Sequence, residues 1–345
     1  MADRVTCTPI VVTTPLPRCA WETNACWRYR VEGRVAYASM RGVPVQLAPL
    51  SEVSSAARTV VVLRPTDPDL VGFLRSRCPS AKIIADWDDL LFGDASSMPA
   101  VMTGWRTLEE QEHRCRRARE AAASVDAHIV STHVLARFLG EFLPGSEVHV
   151  ARNEPDPVWV SLARGARRWA PGDLKVVRWF IGSKARELDA DIVADPLRSL
   201  MLRDRTVCVE IYGALRWWRT RLPYWRIRMK KTVPWRMMAG VQAESWLTIA
   251  PLADLPFNEC KSAIKVQESA AAGVPCLATP IPSMTDDAAG MAHYAANRGD
   301  WDAGFAMVED TEGRRDMYER GFRGLERMMG ESVGHEAWFR AVRGI

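Results

Sequence analysis

No stretch of this 345-residue chain stays apolar for the roughly 20 residues that a membrane-spanning helix needs, so the sequence predicts no such helix. The N-terminal piece, broken by Pro9, Pro15 and Pro17, has neither the apolar centre nor the cleavage site of a secretory leader. The eight cysteines (Cys7, Cys19, Cys26, Cys78, Cys115, Cys208, Cys260 and Cys276) form no C-x-x-C pair and stand at no metal-ligand spacing to the six histidines. Structural zinc is therefore not expected, and reduced thiols point to the cytoplasm. Net charge is small as well: 46 Lys plus Arg against 42 Asp plus Glu give +4, too little to imply a polyanion partner for the whole chain. Any such signal has to be local.

What is present is an ordinary globular composition, 48% hydrophobic and 26% charged, on a chain long enough for two cores of about 150 residues each. Short β-branched runs at Ile10–Thr14, Val43–Leu47, Thr59–Leu63, Lys82–Asp86, Ala127–Ser131 and Glu147–Ala151 alternate with helical stretches, which is the βαβ rhythm. The helical pattern over 105–123 carries Glu109, Glu110, Glu112, Arg116, Arg117 and Arg119 on a solvated face. Between Asn153 and Leu174 the apolar pattern lapses: Pro155, Pro157, Pro171 and Gly172 bracket Arg164, Arg167 and Arg168, and the domain junction is expected there. A second alternation follows, with strands near Lys175–Ile181, Thr206–Tyr212, Trp225–Lys230, Trp246–Ala250 and Val274–Ala278, and from about Asp300 only helices. The reading is an α/β protein with Rossmann-like domains at 1–160 and 161–320 facing a central cleft, and a closing helix over 321–345.

The most informative segment runs from Ile249 to Pro280. A strand delivers a Pro- and Asp-rich loop, Asn258 stands where a helix N-cap belongs, and Gly273 and Pro275 end the helix. Lys261, Lys265 and Glu268, spaced by four and three, fall on one predicted face, while Ile264, Val266 and Ala270–Ala272 can pack inward. Helix N–H groups with two lysines suit a diphosphate, and a carboxylate one or two turns on suits the vicinal hydroxyls of a ribose. The same spacing also describes a plain surface helix with an i,i+3 Lys–Glu pair.

The string PLADLPFNECKSAIKVQESAAAGVP, residues 251–275, resembles the signature of GT-B glycosyltransferases of the family 4 type (glycosyl transferases group 1). Other pieces resemble the same family in order: IIADWDDLLF at 83–92, AHIVSTHVLARFL at 127–139, VARNEPDP at 150–157, WFIGSKARELDAD at 179–191, and a tail around Trp301, Arg314, Arg315 and Trp338. The resemblance implies two Rossmann-like domains, a nucleotide sugar held mainly by the C-terminal one and an acceptor mainly by the N-terminal one, terminal helices crossing back to the N-terminal domain, and retaining transfer without a bound metal. The resemblance implies no cofactor, with a UDP- or GDP-sugar expected as the substrate. Carried over residue by residue, Glu268 would hold the ribose, Lys265 the diphosphate, and the Gly182 and Ser183 backbone would approach the phosphates. Lys184, Arg186, Asn258, Lys261 and Ser262 would complete the donor site, and Asp88 and Asp89 would form a turn near acceptor and sugar. Lys265, Lys261 and helix N–H groups would stabilise the leaving diphosphate.

Two positions depart from the family pattern. Cys260 stands where the first carboxylate of a Glu-x7-Glu pair is usual, with Glu259 adjacent, and Arg186 stands where a histidine is usual, with Asp189 retained. An arginine there could fork onto a phosphate. These departures motivate an alternative, a scaffold that binds nucleotide sugar without turnover.

Two further features admit other readings. Asp86-Trp-Asp88-Asp89 could be the metal-holding D-x-D of a GT-A enzyme, or simply an acidic turn. Arg216–Lys231 contains seven basic residues, no acid, and Trp217, Trp218, Tyr224 and Trp225. That mixture suits single-stranded nucleic acid, a membrane interface or an anionic acceptor (glycan, protein or modified DNA), and equally a solvated edge strand whose arginine stems cover apolar surface. His128 and His133 read as packing residues.

Overall fold

The computed structural model describes residues 10–21, 24–166, 174–182, 184–215 and 224–344. The chain separates into two compact units. One comprises the chain up to Ser96, Leu108–Asn153 and the piece from Ser332 onward; the other comprises Ser97–Thr107 and Glu154–Glu331.

The first unit is built on a parallel sheet of β1 (Ile10–Thr13), β2 (Val45–Leu47), β3 (Thr59–Leu63), β4 (Lys82–Trp87), β5 (Ala127–Val130) and β6 (Glu147–Val150), in the order β2-β1-β3-β4-β5-β6. Its central strands are continuous apolar runs because both faces are covered: Val60–Leu63 and Ile83–Ala85 are all buried. The crossover helices start where short polar side chains can cap them. Asp67 accepts from Asp69 N ahead of helix Pro68–Arg77, and Thr132 accepts from Leu135 N ahead of helix His133–Phe142. Helix Leu108–Ala123 buries Cys115, Ala118, Ala121 and Ala122 and leaves its charges in solvent. The last helix, Val333–Arg343, places Trp338, Phe339, Ala341 and Val342 in one core with Val12, Trp27, Ile84 and Ile129.

The second unit repeats the plan with β7 (Lys175–Phe180), β8 (Val207–Tyr212), β9 (Ile227–Lys230), β10 (Leu247–Ala250), β11 (Cys276–Ala278) and β12 (His293–Tyr294), all parallel, in the order β12-β11-β10-β7-β8-β9. Helix Glu187–Arg203 follows β7, and helix Arg298–Glu309 begins on a capping box between Asn297 and Asp300. The expected junction over 153–174 proves to contain a helix, Pro157–Ala166, that buries Trp159, Val160 and Ala163 in one core with Ala239 and Val266. Pro157 is tolerated because it opens the helix, where its missing N–H has no intrahelical partner to lose. The chain thus passes between units after Ser96 and after Thr107, then after Asn153, and again after Glu331, where the 21-residue helix Thr311–Glu331 ends and the closing helix begins. Among the described residues no helix is long and apolar enough to cross a membrane.

The order of each parallel sheet reverses once, between β1 and β3 in the first and between β10 and β7 in the second. Chains leaving neighbouring strands diverge at such a point, and the crevice outside the carboxyl ends is where doubly wound sheets hold ligands.

Candidate functional site

The reversal in the second sheet lies between the loops that leave β7 and β10, and one carboxylate joins them. Asp189, in the first turn of helix Glu187–Arg203, accepts at Oδ1 from Ala253 N (2.7 Å) and from Asn258 Nδ2 (2.9 Å), and at Oδ2 from Arg186 Nη1 (2.9 Å). Arg186 Nη1 also donates to Asn258 Oδ1 (3.1 Å), and Asn258 Nδ2 to Ala253 O (2.9 Å). All three side chains are buried. Asn258 is therefore not a helix N-cap. It lies inside the one-turn helix Pro256–Glu259, and the next helix, Ile264–Ala271, starts at Ala263 without a side-chain cap. Its amide, with two donors and an acceptor, bridges two loops, which a cap on one helix end could not do. Arg186 likewise commits Nη1 to Asp189 and Asn258, so its first task is to staple the loops.

Helix Ile264–Ala271 carries Lys265 and Glu268 on one face, with Nζ 3.0 Å from Oε2, Glu268 1% exposed and Lys265 half-buried. Lys261 lies outside this helix, on the 260–263 turn, so it does not share that face. Its Nζ stands 4.3 Å from the Phe257 ring centroid, and its carbonyl accepts from Ser283 Oγ. Ser262 is half-buried on the same turn, and Cys260 is fully buried. On the β7 side Gly182 and Lys184 are exposed, Ala185 is held at φ +67°, and Ser183 lies outside the described residues. A side chain at Gly182 would meet nothing within 4 Å, so neither packing nor backbone conformation explains a glycine there.

Sequence reasoning missed Trp105 and Glu187. Trp105 Nε1 donates to Glu187 Oε1 (2.9 Å), and Lys184 Nζ stands 5.2 Å from the Trp105 ring centroid. Trp105 is distant in sequence and belongs to no motif. The Arg186–Asp189 pair, at i,i+3 where a helix begins, was open to discovery by spacing.

In the first unit the acidic residues at the end of β4 and in the turn after it are bound inward. Asp86 Oδ1 lies 2.6 Å from Arg30 Nε with both side chains buried, and Arg30 Nη1 reaches Ala151 O (2.5 Å) and Asn153 Oδ1 (3.0 Å). Arg34 Nη2 donates to Ala151 O (2.9 Å) and Arg152 O (3.1 Å). Asp88 accepts from Asn153 Nδ2 (2.7 Å), and Asp89 lies 3.2 Å from Arg64, which follows β3 at φ +51° beside the sheet reversal. Arg64 Nη1 also contacts Cys26 Sγ (3.1 Å); burial, then the nearby Asp88 carboxylate, pushes that thiol well above its ordinary range. Each carboxylate of the turn thus has its own cation or amide. Among the described residues no three His, Cys, Asp or Glu side chains come together as a metal-ligand set. His128 is buried and accepts at Nδ1 from Trp87 Nε1 (3.2 Å), and burial holds its pKa down at about 4.

Of the basic patch, residues 216–223 lie outside the described residues. Arg226 is turned into the fold, donating to Asp204 O (3.0 Å), Val207 O (3.1 Å) and Met201 O. On the edge strand β9, Arg228 and Lys230 stand 3.6 and 3.8 Å from Glu210 Oε1, while Arg178 Nε holds Glu210 Oε2 at 2.9 Å. Trp225 is exposed.

No protein-family profile matches the chain, and no curated protein sequence does. Solved structures do match. TarM superposes with a TM-score of 0.56 at 10% identity over 84% of this chain, which spans only 55% of TarM. Sucrose-phosphate synthase from Thermosynechococcus elongatus gives 0.63 at 9% identity, covering 98% of both chains. HepE of Anabaena, solved in complex with UDP-glucose, gives 0.60 at 12% identity, covering 97% of this chain and 99% of its own. At such identities the likeness carries the fold, and the fold is GT-B.

Proposed function

We propose that this protein is a retaining glycosyltransferase that moves a sugar from a nucleotide-sugar donor to an unidentified acceptor. The observation that supports it most is the β7/β10 reversal, where an internally satisfied Arg186–Asp189–Asn258 network fixes two loops beside Lys265, Glu268, Lys261 and the open face of Gly182. A glycine exposed without a packing reason leaves room for a phosphate to approach the backbone. In this reading Lys265 and Lys261 balance the charge that grows on the leaving diphosphate, and Glu268 holds the donor ribose. Lys265 is then the residue whose charge matters most in the transition state, and Asp88 and Asp89 border the acceptor.

The donor is a substrate, and we expect no resident metal, because each carboxylate of the Asp86–Asp89 turn is already engaged by a protein cation or amide. EDTA should leave turnover intact; loss of turnover that Mn²⁺ restores would overturn this point. HepE is seen with UDP-glucose, which makes UDP-sugars the first donors to try. A cytoplasmic site of action agrees with the seven described cysteines, none of which is in a disulfide.

Nucleotide release from a panel of sugar nucleotides tests the reading. Slow hydrolysis of one donor, abolished by Glu268→Ala with the fold intact, is the expected result, and binding without any release would favour the non-catalytic scaffold. The specific observation on that side is Cys260, a fully buried thiol at the position where the pattern of the resembled family would put a carboxylate. DNA as acceptor draws less support, since Arg226 is spent on backbone carbonyls and Arg228 and Lys230 attend Glu210. A steep salt dependence of binding to DNA would restore it.

A further inference from the structure

The segment 97–107 lies between β4 and helix Leu108–Ala123 in sequence, yet it belongs to the second unit. Its backbone is held by local hydrogen bonds: the one-turn helix Pro99–Met102 is closed by Thr103 Oγ1 donating to Pro99 O (2.6 Å), and the N–H groups of Trp105 and Arg106 both donate to Ala100 O (2.8 and 3.0 Å). The turn delivers a half-buried Trp105 to the loop that leaves β7. There its indole N–H meets Glu187, a carboxylate 1% exposed at the start of helix Glu187–Arg203, and its ring lies beneath the Lys184 ammonium.

We propose that Trp105 is a positioning residue of the donor site. It holds Glu187 through the indole N–H and gives Lys184 an aromatic face to stand over, so that the ammonium is presented beside Gly182 to a nucleoside diphosphate. The inference rests on the glycosyltransferase reading above and adds to it a residue from the first half of the sequence. An exposed lysine has rotamer entropy to lose when it clamps an anion. An ammonium within about 6 Å of an indole centroid is attracted to the ring and has part of that freedom removed before the ligand arrives. The Glu187 carboxylate is stabilised by the helix N-terminus and by the indole N–H, which fixes the ring plane that Lys184 faces.

The test is a double-mutant cycle on the full chain, read as calorimetric affinity for the tightest-binding member of UDP, GDP, ADP and dTDP, with the melting temperature of each unliganded variant alongside. Trp105→Ala and Lys184→Ala should each weaken binding about threefold to tenfold. The double variant should bind no more weakly than the weaker single variant, because Trp105 acts through Lys184. Trp105→Phe, which keeps a π face, should retain most of the affinity. If Trp105→Ala fails to fold, Trp105→Leu takes its place in the cycle. Additive losses, or a lowered melting temperature with unchanged affinity, would reduce Trp105 to a packing residue and overturn the proposal. Lys265→Ala separates the two ideas. Weaker binding in that variant beside an indifferent Trp105→Ala refutes only the role of Trp105, whereas unchanged binding in Lys265→Ala and Lys184→Ala alike refutes the diphosphate site and this proposal with it.

Discussion

Single side chains in this protein act mainly through what they neutralise. Arg30 and Asp86 are both buried in the first unit, and each is tolerable there because of the other. Arg30→Ala leaves the carboxylate buried without its cation and should cost about 3–5 kcal/mol in chemical denaturation, whereas replacing both partners by apolar residues of similar volume should cost far less. His128 makes a different prediction. Burial lowers its pKa from 6.5 to about 4, so the unfolded chain takes up a proton more readily than the folded one. Its contribution is fully present above pH 6.5 and is lost as the pH falls toward 4, by up to on the order of 3 kcal/mol. A stability-versus-pH curve for His128→Asn should be flatter than wild type across that window, and parallel curves would contradict the assignment. At this scale the chemistry of Lys265 and Glu268 was legible, because i,i+3 spacing on a helix brings side chains together wherever the helix goes. The work of Arg186 was not: its charge suggested a phosphate, but the nearest carboxylate and amide sit on its own helix and in a one-turn helix some 70 residues away.

Among the elements, the two loops at the carboxyl ends of β7 and β10 depend on one another. Asp189→Ala should release Arg186, Asn258 and the Ala253 N–H together, with a loss of about 3–5 kcal/mol and weaker nucleotide binding, since both loops would lose their shared anchor. Gly213 supports the same region from β8. It is held at φ +138°, and an added Cβ would lie 2.7 Å from Ile181 O, so Gly213→Ala must move the backbone next to Gly182. A loss of about 1–3 kcal/mol in thermal unfolding, with reduced nucleotide affinity, is expected. Arg226 shows why charge reversal in the basic patch needs care. Arg226→Glu removes the donor to three carbonyls around the end of helix Glu187–Arg203 and should lower the melting temperature, while Arg228→Glu, half exposed, should barely do so. The strands were legible because a two-face-buried parallel strand is a continuous β-branched run. The helix Pro157–Ala166 was not, since prolines around a short apolar triplet read as linker until the triplet is seen against Ala239 and Val266.

For the molecule as a whole, the chain order and the spatial grouping differ. The final helix joins the first unit's core, and Trp338→Ala should cost about 3–5 kcal/mol, with faster hydrogen exchange in β1, β3, β4 and β5 and little change in β7 to β11. Exchange that rises equally in both sheets would show that the units unfold as one. Two parallel α/β cores, their strands, the terminal helices and the Lys265–Glu268 pair follow from local sequence, because β-branched runs, caps and helical spacing act over a few residues. The grouping of 97–107 with the second unit, the capture of Asn258 and Arg186 by Asp189, and the inward turn of Asp86 were decided only by tertiary structure. Each is a pairing of polar groups brought together from distant parts of the chain, and burial makes such pairs obligatory without leaving a periodic trace in the sequence.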